Sequence, residues 1–173
     1  TLGENIASIG FAAFRECPIT AITIPSKVES IGYQAFYHCD LLATINFNAR
    51  SCTLDSTVFE MSVDAEAERS VVFGNTVVDI PDIIFYNDSK LVSVTLGENV
   101  ATIGDQAFYN TGITTLTIPA KVESIGSAAF YGCTSLTSVT FPHKLSNISS
   151  YAFRNCSALT EIYFTGAAPS INS

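Results

Sequence analysis

The residues able to do chemistry are few and scattered. Five cysteines stand at 17, 39, 52, 133 and 156, and the two histidines at 38 and 143. His38 precedes Cys39, the minimal arrangement for a base beside a thiol nucleophile, yet the Cys39 position reads as inward-facing. His143 lies beside Lys144 in what reads as a turn. No cysteine pair has the two-residue spacing of zinc ribbons or dithiol oxidoreductases. No GxSxG, HExxH or glycine-rich phosphate loop occurs. Glu60, Asp64, Glu66 and Glu68 crowd one segment and offer oxygen ligands for Ca²⁺, but without the Asx and Gly spacing of a calcium loop; the alternative is a solvated insertion. The reading is of no enzyme, no cofactor and no metal.

Composition narrows the partners. The 173 residues carry 8 basic and 16 acidic side chains, a net charge of −8. A nucleic-acid surface needs a basic footprint, and an anionic membrane surface attracts one; this chain has neither. Apolar residues make up 47%, too many for a disordered segment, and no apolar run reaches the roughly 18 residues of a membrane span.

What must position the scattered groups is a repeat. Phe recurs at 14, 36, 59, 85, 108, 130 and 153, at intervals of 22, 23, 26, 23, 22 and 23. Val28 to Phe36 matches Val122 to Phe130 in frame, with Ile-Gly in the middle and Ala-Phe at the end. Three residues after each Phe comes a small polar position: Cys17, Cys39, Ser62, Asp88, Thr111, Cys133 and Cys156. An apolar-x-x-apolar-x-apolar segment follows, as in Leu42 to Phe47 and Leu136 to Phe141, and a Pro or Gly often closes it. Alternation of β-branched and polar residues predicts a strand there. The Val-x-x-Ile-Gly piece predicts a second, shorter extended segment, and the Ala-Phe piece a helical or 3₁₀ turn. One such coil cannot bury its own apolar edge, but stacked coils can. Seven coils at strand spacing give a rod roughly 35 Å long. The repeat spanning 48–76 is irregular, and its excess residues, between Glu60 and Arg69, are expected to bulge as a loop. Residues 1–5 repeat 95–99, and 164–171 read as the start of another coil, so the expectation is a single array, 1–173, cut from a longer one.

Stacking turns positions into rows. Thr23, Asn46, Val72, Thr95, Thr117, Thr140 and Tyr163 fall in one outward row; Ala21, Thr44, Ser70, Ser93, Thr115, Ser138 and Glu161 form its neighbour. This is a broad hydroxyl-rich surface almost without charge. It reads either as a binding face, with Thr95, Thr115, Thr117, Ser138, Thr140 and Tyr163 as its candidate residues, or as an ordinary open β-surface. Tyr86, Tyr109 and Tyr131 each follow the repeat Phe and predict an aromatic stripe, either an anchor for sugar or protein or a cover for the turn; Tyr37 occupies the same position in an earlier coil. Cys17 with Cys39, and Cys133 with Cys156, fall within disulfide reach; they read as two staples or as small buried thiols with weak hydrogen bonds. Cys52 aligns with Glu29 and Glu123 and is expected to face solvent.

The strings Ile-Gly-x-x-Ala-Phe-x-x-Cys-x-x-Leu-x-x-Ile-x-Phe-Pro, clearest from Ile125 to Pro142, resemble the BspA-like (Treponema pallidum-type) leucine-rich repeats. The resemblance spans nearly the whole chain and is weakest at 48–84. It implies a right-handed β-rich solenoid with a parallel sheet on one face and short strands or helical turns on the other. It also implies a cell-surface or secreted protein that adheres to a protein or glycan of a host or neighbouring cell; the alternative is a spacer array that presents another domain. It supplies no catalytic residue. End-to-end self-association through open strands is a further expectation.

Overall fold

A computed structural model describes residues 2–62 and 64–165. The described residues form fourteen strands: β1 (Ser8–Ile9), β2 (Ala21–Ile24), β3 (Ser30–Ile31), β4 (Thr44–Phe47), β5 (Thr53–Leu54), β6 (Arg69–Phe73), β7 (Asp79–Ile80), β8 (Leu91–Thr95), β9 (Thr102–Ile103), β10 (Thr115–Thr117), β11 (Ser124–Ile125), β12 (Ser138–Phe141), β13 (Asn147–Ile148) and β14 (Glu161–Phe164). Even-numbered strands build the front of a solenoid and odd-numbered ones the back, and every pairing is parallel. Each coil contributes one strand to each face, as the two apolar segments of the repeat require. The start of a further coil, read at 164–171, falls largely outside the described residues. No helix among the described residues is long and apolar enough to cross a membrane.

The repeat Phe explains the stacking. Rings at 14, 36, 59, 85, 108, 130 and 153 lie one above another, with centroids 5.1–6.1 Å apart along the ladder. Phe36, Phe85, Phe108 and Phe130 are at most 1% exposed. Inward residues of the front strands, such as Ile22, Ile45, Val71 and Val139, fill the space beneath. No coil has an apolar core of its own; each is completed by its neighbours.

The segment around each Phe is neither a helix nor a 3₁₀ turn. Backbone φ is positive two residues before every Phe: 50° at Ala12, 58° at Gln34 and Thr57, 51° at Ile83 and Ala128, 53° at Gln106 and 61° at Tyr151. It is positive again two residues after, at Glu16, His38, Asn87, Asn110, Gly132 and Asn155. Alternate amides therefore point in different directions. Ala13, Arg15 and Cys17 N–H donate to carbonyls three residues back, while Ala12, Phe14 and Glu16 N–H donate to Tyr33, Ala35 and Tyr37 in the next coil. A helix would direct every amide along its own axis, and the coils would then share no bonds at this edge. Inter-coil bonding overrides the local preference.

Close stacking also explains the Ile-Gly step. A Cβ on Gly126 would sit 2.6 Å from the Asp105 backbone nitrogen, and one on Gly32 2.8 Å from that of Phe11. A methyl at either position would force the neighbouring coil to shift.

Two seams are imperfect. The front sheet breaks between β8 and β10, giving separate sheets β2–β4–β6–β8 and β10–β12–β14. A bulge in β8 puts its register out by one residue against β6. The next coil is one residue shorter: eight residues separate Phe108 from Leu116, against nine from Phe85 to Val94. The back sheet breaks one seam earlier, between β5 and β7, where the third coil carries its excess residues.

Candidate functional site

The front register sets the hydroxyl rows side by side. Thr23, Asn46, Val72 and Thr95 are successive partners, as are Thr117, Thr140 and Tyr163. In the second row Thr115, Ser138 and Glu161 are partners. Of the six candidate residues, five therefore share one three-stranded sheet. Thr95 stands across the break, on the edge of the other sheet. Thr95, Thr115 and Thr117 are exposed, Ser138 and Thr140 half-buried. Tyr163 is exposed, and its hydroxyl donates to Glu161 at 3.0 Å. That bond and the carboxylate beside it raise the Tyr163 pKa from its ordinary value.

The tyrosines do form a stripe. Tyr86, Tyr109 and Tyr131 stack face to face at 4.8 Å between centroids. The Tyr131 hydroxyl accepts a bond from Asn155 Nδ2 at 2.8 Å. Desolvation within the stack, then the neighbouring Tyr131 and Tyr86, raise the Tyr109 pKa. Tyr86 is 43% exposed and ends the stack, because Glu60 occupies the next position. Tyr37 is separate, against His38 and beneath the Arg15 guanidinium.

All five cysteines are free thiols. The position after the Phe asks for a small donor. Cys39, Cys133 and Cys156 thiols donate to the carbonyls of Phe14, Phe108 and Phe130 in the preceding coil, at 3.0–3.2 Å. Burial pushes the Cys39 pKa up to about 11. Cys52 corrects one expectation: it does not face solvent but is half-buried against the core, and burial pushes its pKa up to about 12. A thiol held protonated there is a poor nucleophile. The acidic segment gathers no metal-binding cluster among the described residues; Asp64, Glu66 and Glu68 are each exposed.

Sequence reasoning missed Arg69. It ends the insertion, is 2% exposed, and grips Asp88 through two bonds, Nε to Oδ2 at 2.7 Å and Nη2 to Oδ1 at 2.8 Å. The signal was present: Asp88 alone puts an ionisable carboxylate where other coils place Cys, Ser or Thr. A buried carboxylate implies a buried cation. Above this pair, between the third and fourth coils, lies a cavity of about 660 Å³.

The model of the BspA-type leucine-rich-repeat region, in six copies, matches residues 1–66 and 64–173. The chain belongs to the BspA-type leucine-rich-repeat family. Among solved structures, this BspA-type chain is similar to a leucine-rich-repeat protein from Bacteroides ovatus, with 28% identity and a TM-score of 0.79 over 94% of the chain. The chain spans 41% of that protein's length. It shares its fold with the leucine-rich-repeat protein of T. pallidum, at 20% identity and a TM-score of 0.55, over 88% of this chain and 72% of that one. No curated protein matches it.

Proposed function

We infer that this chain is a non-enzymatic module of a cell-surface or secreted protein, and that it adheres to a protein or glycan of a host or neighbouring cell. The carrying observation is the sheet β10–β12–β14. It sets Thr115, Thr117, Ser138 and Thr140 in two adjoining rows, with Tyr163 at their end, and only Glu161 brings charge to those rows. Hydroxyls at ladder spacing can donate and accept without desolvating a charge, and an exposed Tyr adds apolar area with a polar tip. The net charge of −8 disfavours anionic glycans and directs the reading to neutral glycans or basic protein patches.

The test is binding to an array of matrix proteins, mucins and glycans, with the double variant Thr117→Glu, Thr140→Glu alongside. Saturable binding that falls at least tenfold in the variant is expected, about 1.4 kcal/mol. Binding unchanged by the two carboxylates, or silence across the array from a folded chain, sinks the adhesive face and leaves the array as a spacer.

A further inference from the structure

The seam between the third and fourth coils differs from the other five. Elsewhere the amide of each repeat Phe crosses to the next coil: Phe14 to Ala35, Phe36 to Val58, Phe85 to Ala107, Phe108 to Ala129 and Phe130 to Ala152, at 2.8–3.0 Å. By the same frame Phe59 N–H would reach the Ile84 carbonyl, flanked by Thr57 to Asp82 and Met61 to Tyr86. None of these three bonds forms. The back strands β5 and β7 also form no ladder, and the back of the seam is held instead by Val78 N–H donating to the Arg50 carbonyl at 2.9 Å. The result is a cleft with amide donors on one wall and carbonyl acceptors on the other, at every second residue.

The cleft is a built feature. Its inner side is fixed by the front pairing of β6 with β8, by the Phe59 and Phe85 rings stacked at 5.3 Å, and by the Arg69–Asp88 pair. Its volume of about 660 Å³ lies within the range of ligand pockets, and Val58, Ile84 and Ala65 give it an apolar floor. Thr57 lines it, and its hydroxyl is buried without a hydrogen-bond partner. Thr57 is also β-branched at a φ of 58°, a conformation such residues rarely adopt. Tyr86 offers a ring face here. Tyr109 covers its other side, and Glu60 stands where an aromatic would have continued the stack.

We propose that this cleft binds an extended polypeptide segment of a partner protein, which enters as the missing rung between the coils. An extended backbone carries acceptors along one edge and donors along the other, repeated every second residue. That pattern complements the Thr57, Phe59, Met61 wall and the Ile84, Tyr86 wall together. The hydroxyls of a sugar do not repeat so. Polypeptides do add to unpaired backbone edges, with side-chain pockets giving selectivity. An apolar side chain of the segment seats on Val58 and Ile84, and an aromatic or proline ring lies on Tyr86. This site lies off the sheet β10–β12–β14, and either reading can fail without the other.

The experiment uses the ¹⁵N-labelled chain and a panel of capped hexapeptides with valine, tyrosine or proline at their centre. Saturable amide shifts at Thr57, Phe59 and Tyr86 are expected with at least one of them. N-methylation of that peptide at alternate residues, which removes its donors, should weaken binding at least tenfold. Glu60→Trp, at an exposed position, should cover the Tyr86 face and weaken binding similarly, with the circular dichroism unchanged. Silence from the whole panel overturns the proposal. So does equal affinity for the N-methylated peptide, or a shift of these amides by neutral disaccharides alone.

Discussion

The position three residues after each Phe shows how one polar group per coil is satisfied. Cys39, Cys133 and Cys156 spend their thiol protons on a neighbouring coil's carbonyl, and Thr111 bonds the carbonyl of its own Phe108. A small donor at this site was legible in the sequence, because Cys, Ser and Thr exchange there. The choice between staples and free thiols was not, since ladder spacing permits both. Asp88 is the exception that demands Arg69. Asp88→Ala should cost about 3–5 kcal/mol in urea unfolding, because it strands a buried guanidinium. Arg69→Leu combined with Asp88→Cys should recover most of that loss; equal damage in both variants would contradict the ion-pair account. The thiols also set a pH limit. Cys39 ionises at about 11 in the fold against an ordinary 9.0, so the folded state holds its proton where the unfolded one does not. Its contribution is complete below pH 9 and is lost as pH rises towards 11. Thermal melts from pH 8 to 11 should show stability falling through this window, and less steeply in Cys39→Ala.

Strands and their register were readable because side-chain alternation, Pro and Gly mark them. Rows written from the repeat alone coincide with the Cα partners observed, from Thr23 and Asn46 to Thr140 and Tyr163. The turn at the Phe was misread. Alternating right- and left-handed residues leave no hydrophobic period, and short Ala-rich stretches look helical. A signal existed in Asn87, Asn110, Gly132 and Asn155, all types that tolerate positive φ, two residues after their Phe. The break beside β8 escaped too, since the one-residue shortening before Leu116 does not by itself say which strand loses its partner. Close stacking makes a prediction at this scale. Gly126→Ala sets a methyl against the Asp105 backbone and should cost about 1–3 kcal/mol in denaturant unfolding. A neutral outcome would mean the coils part more easily than the Phe ladder suggests.

At the scale of the molecule, stability is a chain of nearest-neighbour seams, and the seams are not equal. The front ladder breaks between the fourth and fifth coils, and the third and fourth lose their back ladder and their bonds at the Phe edge while keeping the Val78 to Arg50 bond. The interval of 26 residues between Phe59 and Phe85 announced the irregular coil in the sequence. It did not announce an open seam, because an insertion can bulge outward and leave the ladder closed. Here the insertion is anchored inward by Arg69, which donates its backbone amide to Lys90 and its guanidinium to Asp88. Residue-resolved amide exchange tests this account most directly. The amides of Phe14, Phe36, Phe85, Phe108 and Phe130 should be strongly protected, while those of Thr57 and Phe59 exchange at least a hundredfold faster under native conditions. Equal protection of Phe59 and Phe85 would contradict it, for the third and fourth coils would then be joined at the Phe edge like every other pair.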